Sequence, residues 1–206
     1  MVNLLFSLVC RRFYSNNEHI VLRCDLSAVV NVPDPAISLR LRELCKEDVP
    51  KLLDIWKPGL STDDIWERIR IRYMFKTAIK TPYAAVTDDD YPCHVAWSIA
   101  SEENEKLQCF YHGQIPPLPS DEVLIECVFT LEEYRGLGIS PWRSKKMMDK
   151  NAQRGAKWSL CFIKKNNYSS LKAAAKNAYE PYMIKIVRWR LFRSKTELHL
   201  NLSTFL

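Results

Sequence analysis

The spacing of apolar residues divides the first half of the chain into a strand and two helices. Residues 37–44 alternate between apolar and polar positions, which predicts a half-buried strand. The next segment places Leu52, Leu53 and Trp56 on one face of a predicted helix. A second helix is predicted to begin at Ser61, because a serine followed by acidic residues is typical of a helix N-terminus.

Strands and helices alternate through the second half of the chain. Apolar runs at residues 83–86, 94–100 and 123–129 predict three strands, and the polar, proline-containing residues 101–121 predict a loop. The remaining predictions are a helix capped by Ser140, a strand at 158–163, a helix from Ser169 or Ser170 to Lys176, and strands at 182–192 and 197–202. This order predicts a mixed α/β fold in which helices flank a central mixed sheet.

The N-terminal segment gives weaker signals. Residues 1–10 are apolar but too few to span a bilayer, so no transmembrane segment is expected. Arg11 and Arg12 follow this apolar run, whereas a secretory signal peptide carries its charge before it. We expect a short helix or strand packed on the domain, with a weak membrane-surface anchor as the alternative. Residues 13–26 alternate only over short stretches, which fits a hairpin or an extended arm.

The cysteines indicate the compartment. The chain of 206 residues has seven cysteines, and none of them forms a Cys-x-x-Cys pair. An odd number of scattered thiols argues against a disulfide framework and against a zinc site. We therefore expect a cytoplasmic protein without a bound metal.

The charge is distributed unevenly. Residues 140–206 contain 15 lysines and arginines against 3 acidic residues, a net charge of +12, and residues 1–139 carry a net charge of −6. Such a basic segment could face nucleic acid, an anionic lipid surface or a polyphosphate cofactor. No nucleic acid partner is expected, because the sequence contains no helix-turn-helix or RNA-recognition signature.

Two glycines mark the turn between the strand at 123–129 and the next helix. The turn reads Arg135-Gly-Leu-Gly-Ile-Ser140. Glycines at a strand-to-helix turn let backbone N–H groups converge, and a helix N-terminus adds partial positive charge, which together suit a pyrophosphate. A plain tight connection is the alternative. The turn is neither a P-loop, since no Gly-Lys-Ser/Thr follows, nor a complete dinucleotide-binding fingerprint.

Two blocks of the sequence resemble the GNAT superfamily of acetyl-CoA-dependent N-acetyltransferases. Residues 126–140 are similar to the family's fourth strand and pyrophosphate loop, whose pattern Arg/Gln-x-x-Gly-x-Gly/Ala is matched by Arg135, Gly138 and, imperfectly, Ser140. Residues 167–181 resemble the Asn-x-x-Ser/Ala…Lys-x-Gly-Phe-Glu segment that follows the family's fifth strand.

This resemblance implies a fold and a domain division. We expect the GNAT acyl-CoA N-acyltransferase fold over residues 37–206, preceded by an N-terminal extension, residues 1–36. The co-substrate implied is acetyl-CoA or another acyl-CoA. In the family, its pantetheine arm extends the sheet where two central strands splay.

The resemblance also assigns the cofactor-binding residues. It implies that the pantetheine arm lies along Val128, Phe129 and Thr130, and that Asn167 hydrogen-bonds to the pantetheine region. It places the pyrophosphate at Arg135, Gly136, Leu137, Gly138, Ile139 and Ser140.

Glu126 is the candidate general base. It interrupts an apolar run, where a charge costs free energy unless something uses it, and family members often carry a catalytic glutamate at the matching position. The alternative is a solvent-facing glutamate that alternates outward with Glu122. The backbone N–H of Val128 or a neighbour would meet the oxyanion. The family's usual tyrosine acid maps to Ala174, so Tyr168 is the candidate acid, with Tyr179 as an alternative and packing as a competing role for both.

These observations predict an N-acyltransferase that transfers an acetyl group to a primary amine of a small molecule, an amino sugar or a peptide. One alternative is a GNAT-fold enzyme that takes a longer acyl group from acyl-CoA or an acyl carrier protein. The other is a non-catalytic module that binds CoA or nucleic acid. The acceptor amine is not identified by the sequence, and a homodimer is compatible with it.

Overall fold

A computed structural model describes residues 2–28 and 31–200 of the chain. The helices in these residues are α1 (Val2–Phe13), α2 (Asp48–Leu52), α3 (Thr62–Lys76), α4 (Asn104–Tyr111), α5 (Ile139–Gln153) and α6 (Tyr168–Ala175). The strands are β1 (Tyr14–Asp25), β2 (Arg40–Glu43), β3 (Pro82–Val86), β4 (Pro92–Ala100), β5 (Glu122–Thr130), β6 (Trp158–Lys164), β7 (Glu180–Arg190) and β8 (Arg193–His199).

All eight strands belong to one mixed sheet. Their order is β2-β3-β4-β5-β6-β1-β7-β8. The pair β5–β6 is parallel, and every other neighbouring pair among the described strands is antiparallel. Helix α5 makes the crossover that a parallel pair requires. The predicted fold class, a mixed sheet flanked by helices, is confirmed.

Helices cover both faces of the sheet. On one face, α2, α3 and α4 bury apolar side chains against Trp97 and Leu124 of the central strands. On the other face, Met147 and Met148 of α5 pack against the sheet, and α6 joins them. Trp97 and Leu124 are fully buried, and burying each such side chain contributes about 1.5 to 3 kcal/mol.

The N-terminal residues differ from the sequence prediction. A hairpin or extended arm was expected at residues 13–26, but β1 is one strand inside the sheet. It pairs with β6 over His19–Asp25 and with β7 over Tyr14–Arg23. Val21 and Leu22 of β1 are buried, so the core itself holds this strand in place.

Several local predictions can be compared with the structure. The helix start at Ser61 is confirmed, since its hydroxyl and Asp64 form a capping box. The first helix was expected to bury Trp56, but α2 ends at Leu52 and Trp56 is 78% exposed. The predicted loop 101–121 contains α4, which is too short for its apolar spacing to be recognised in the sequence.

The last predicted strand lies only partly within the described residues. The last strand was expected at residues 197–202, and β8 instead runs from Arg193 to His199, with residues 201–206 outside the described part. None of the described helices combines the length and the apolarity that crossing a bilayer requires.

Candidate functional site

The two parallel strands at the centre of the sheet separate part-way along their length. They pair only where Glu122–Ile125 of β5 faces Trp158–Cys161 of β6. Beyond these residues β5 continues to Thr130 and β6 continues to Lys164 without pairing to each other. A wedge-shaped opening therefore lies between the ends of β5 and β6, and Glu126 is the first residue of β5 past its vertex.

A bulge sets the direction of the backbone in this opening. Cys127 has a φ of +52°, and the pairing of β4 with β5 shifts register at this point. Farther on, Leu131 N–H donates to the carbonyl of Cys93, on the β4 side. Because N–H groups of a strand alternate between its two edges, those of Val128 and Thr130 face the opening.

Phe129 is placed differently from its neighbours. By the same alternation its N–H faces β4, and its side chain is buried in the core under α3. Val128 and Thr130 therefore reach the opening through their backbone, whereas Phe129 does not. The contact of these strand residues with a pantetheine arm stays a prediction.

The turn after β5 contains backbone N–H groups without a protein acceptor in the described part of the chain. Gly136 and Gly138 both have a positive φ, of 82° and 78°. The side chains of Leu137 and Ile139 pack into a small apolar cluster that anchors the turn. Within the described residues, no protein group accepts a hydrogen bond from the N–H groups between Gly136 and Ser140. Unpaired N–H groups at a helix start are suited to binding an anion.

The start of α5 differs from the prediction in one detail. Ser140 was expected as the N-cap, but the cap position is Gly138 in a left-handed conformation, and Ser140 lies in the first turn. The preceding linker closes on this glycine, since a Cβ there would contact Pro35 Cα at 3.4 Å. Ala36 N–H also donates to the Leu137 carbonyl at 2.9 Å.

Arg135 is held beside the turn. Its Nε donates to the Thr130 carbonyl at 3.2 Å, and its Nη2 lies 3.3 Å from a carboxylate oxygen of Glu132. Glu132 also accepts two hydrogen bonds from the buried Arg68. The Arg135 side chain remains 52% exposed, so it is oriented by these contacts and still open to an anion.

A buried arginine lies beneath the same turn. Arg143 of α5 is 3% exposed. Its Nε donates to His94 Nε2 at 3.0 Å, and its Nη2 lies 3.4 Å from Ser140 Oγ. His94 Nδ1 in turn lies 2.7 Å from Thr130 Oγ1. Burial lowers the pKa of Arg143 to about 10.

Glu126 is buried and ionised on the face covered by α3 and α4. Its carboxylate accepts from Arg70 Nη1 at 3.1 Å and from Cys127 N–H at 3.0 Å. Burial alone would raise its pKa, but Arg70, a hydrogen bond from Tyr111 and the Cys127 N–H together hold the pKa below its ordinary value. Glu126 does not alternate outward to solvent.

Several residues of this cluster were not predicted from the sequence. Arg70 comes from α3, Tyr111 from the unpredicted α4, and Lys185 from β7. Glu67, one turn before Arg70, has a pKa raised by burial. The sequence contains no signal that brings these residues to Glu126, because each lies in a different element.

The residues after β6 take other positions than expected. The predicted caps of α6 were Ser169 or Ser170, but Asn167 caps it, with Oδ1 accepting from Ser170 N–H at 3.2 Å. This leaves the Asn167 amide NH₂ as the available donor. Tyr168 is 77% exposed, whereas Tyr179 is buried and its hydroxyl lies 2.6 Å from Ser159 Oγ.

Solved structures with a similar fold include several acetyltransferases. A glucosamine N-acetyltransferase region of a fungal multidomain β-N-acetylglucosaminidase matches with a TM-score of 0.60 at 13% identity, over 96% of this chain and 22% of that one. A GNAT-family acetyltransferase from Colwellia psychrerythraea matches with a TM-score of 0.53 at 12% identity, over 91% and 61%. This chain has the GNAT fold. A GCN5-related N-acetyltransferase from Sphaerobacter thermophilus matches with a TM-score of 0.51 at 12% identity, over 90% and 56%.

The GNAT similarity is one of structure. The chain spans less than two thirds of the length of each of these three proteins. No protein-family model matches its sequence, and no curated protein is significantly similar to it. In the described residues, no group of three or more His, Cys, Asp or Glu side chains is arranged to hold a metal ion.

Proposed function

We propose that this protein is an acyl-CoA-dependent N-acyltransferase that transfers an acetyl group to a primary amine. One observation carries the proposal. The N–H groups between Gly136 and Ser140 lack acceptors at the start of α5, directly after a strand whose edge opens toward β6. The GNAT fold of the acetyltransferases named above supports the same function.

The residues present fit an acyl-CoA. The turn from Gly136 to Ser140 would hold its pyrophosphate, with Arg135 beside it, and the edge N–H groups of Val128 and Thr130 would hold its pantetheine arm. The Asn167 amide group is the remaining predicted contact. When bound, acyl-CoA supplies an activated thioester carbonyl.

Glu126 would remove the proton that the amine must lose. In the overall reaction a C–N bond forms, the thioester C–S bond breaks, and the ammonium form of the amine releases two protons, one to the thiolate and one to solvent. An amine with a pKa near 10.4 needs about 4 to 5 kcal/mol to become neutral at pH 7. Glu126 is ionised there, because its pKa is below the ordinary value, so it can accept a proton directly or through one water.

The remaining roles follow from position. The Val128 N–H faces the opening two residues past Glu126, where it can donate to an oxyanion. Tyr168 stays the proposed acid from the sequence, although a thiolate with a pKa near 8.5 can leave without one. The seven cysteines are free thiols, which supports our proposal of a cytoplasmic location.

Glu126→Gln tests this proposal. Protein incubated with acetyl-CoA and a pooled amine library should yield an acetylated product by mass spectrometry. The variant should lower turnover by roughly 100-fold or more, while calorimetry shows CoA affinity unchanged within about threefold. Glu122→Gln is the matched control, because Glu122 lies on the same strand, is equally buried and pairs with Arg23 away from the opening.

Two results would count against it. Absence of CoA binding by the parent protein would remove the enzyme hypothesis as a whole. Equal turnover by Glu126→Gln and the parent between pH 6 and 9, a range chosen to bracket the relevant pKa values, would remove Glu126 from the mechanism. A long-chain acyl-CoA tested beside acetyl-CoA reports the donor preference.

A further inference from the structure

Lys185 is a buried cation without a counter-ion. It lies in β7 and is 5% exposed. Its ammonium is 4.6 Å from the centre of the Phe162 ring, and no carboxylate of the described residues forms an ion pair with it. Burying an unpaired ammonium costs free energy, since apolar surroundings do not replace its hydration.

The sheet register places Lys185 on the same face as Glu126. His19 of β1 pairs with Lys185 on one side and with Lys164 on the other, so the three side chains share a face. Phe162, two residues before Lys164, packs with the core under α3 and α4, which is the face that Glu126 shares with Leu124. Glu126 therefore lies on β5 at one edge of the opening, and the Lys185 side chain extends from β7 toward the Phe162 ring of β6 at the other edge.

The negative charge of Glu126 is already matched. Its carboxylate has Arg70 and the Cys127 N–H at hydrogen-bond distance. His19 adds no charge, because burial and Lys185 lower its pKa to about 4. Lys185 thus has no carboxylate at ion-pair distance among the described residues, and burial lowers its pKa to about 8, against the attraction of Glu126. At neutral pH most of it is protonated and able to bind an anion.

We propose that the acceptor amine carries an anionic group, a carboxylate or a phosphate, and that Lys185 and the accessible edge of Arg70 bind this group beside Glu126. The inference rests on the proposed acyl transfer. Lys185 would pair with the anionic group while Glu126 faces the amine. The acceptor would therefore bind with its amine toward the thioester. Arg70 can hold Glu126 and bind the anion at the same time, since one of its nitrogens contacts Glu126 while its side chain remains 40% exposed.

The test compares amines in matched pairs. Glycine against glycinamide and O-phosphoethanolamine against ethanolamine differ in the anionic group, and the two pairs separate a carboxylate from a phosphate. Because the members of a pair also differ in amine pKa, kcat/KM is compared per neutral amine. The parent should acetylate one of the anionic members with a kcat/KM at least about tenfold higher. Lys185→Met should reduce this preference to below about threefold, and Lys185→Arg should retain part of it. Lys195→Met, an exposed position of β8, should leave it unchanged.

A second measurement needs no turnover. With CoA saturating, carboxylates and phosphate monoesters should raise the melting temperature of the parent and not of Lys185→Met. A neutral amine preferred by the parent, a preference that survives Lys185→Met, or the absence of any anion effect in both proteins would overturn the inference. Acetylation of Lys185 itself would also overturn it, by making this residue a nucleophile. Failure to bind CoA would instead remove the proposed function.

Discussion

Arg143→Met should stabilise the ligand-free protein and weaken its binding of CoA. The guanidinium of Arg143 lies under the turn that starts α5, and its side-chain partners are the uncharged His94, Ser140 and Met147. Burial lowers its pKa from 12.5 to about 10. The buried charge therefore lowers the free energy of unfolding, and it does so at every pH below about 10.

The pKa shift of Arg143 gives the size of this free-energy cost. At about 1.4 kcal/mol per pKa unit, the buried charge costs the folded protein about 3 kcal/mol. The variant removes this cost but leaves His94 Nε2 without its donor, which costs roughly 1 to 2 kcal/mol. We expect the free energy of unfolding to rise by about 1 to 2 kcal/mol. An anion at the helix start can relieve at most the same 3 kcal/mol or so, which is roughly 100-fold in affinity.

Two measurements separate these effects. Urea denaturation at pH 7 gives the free energy of unfolding, and calorimetry compares CoA with pantetheine, which lacks the phosphates. Lys146→Met is the matched control, because Lys146 is an exposed lysine of the same helix and its loss changes the net charge equally. A less stable Arg143→Met protein that binds CoA as the parent does, or equal losses for CoA and pantetheine, would refute the reasoning.

Three further predictions concern the fold around the site. Gly138→Ala should lower the melting temperature and CoA affinity more than Gly136→Ala, because both have a positive φ but only a Cβ added at Gly138 would meet other atoms within 4 Å, at 3.4 Å from Pro35 Cα; equal effects would contradict the role of this contact. Asp48→Asn should cost about 3 kcal/mol of unfolding free energy. Burial raises the Asp48 pKa, but the hydrogen bonds from Arg42 and Cys45 together outweigh it and lower the pKa, so the contribution is present above about pH 4 and is lost in acid; a urea titration series across pH checks both. Leu22→Ala should cost about 2 to 5 kcal/mol by the same measurement, and a change below 1 kcal/mol or so would show that β1 is not part of the core.

Apart from α4, the order of elements from β2 onward was predictable, because each depends on local signals. Ser61 starts α3 through its own capping box, and the apolar run in β5 is buried as its composition requires. The glycines of the turn before α5 have the positive φ for which their lack of a Cβ suits them. Contacts within a few residues decide these features, so the sequence is sufficient for them.

The features that escaped prediction depend on contacts distant in sequence. β1 is a sheet strand only because β6 and β7 provide edges more than a hundred residues later. Arg70 and Lys185 have ordinary sequence neighbours, and what distinguishes them is their position relative to Glu126. Sequence spacing could therefore single out Glu126 and the turn as candidates, but not the charged residues that surround Glu126 in the fold.

The position of β1 brings N-terminal residues onto the face of the sheet that carries Glu126. His19 lies on β1 between Lys164 and Lys185, and these three side chains share a face of the sheet with Glu126. Without β1, the edges of β6 and β7 would lose their backbone partners, and Lys185 would lose the neighbour that keeps it buried. The charge that we assign to acceptor binding thus depends on a strand from the opposite end of the chain, and truncation before residue 26 should abolish acceptor preference together with folding.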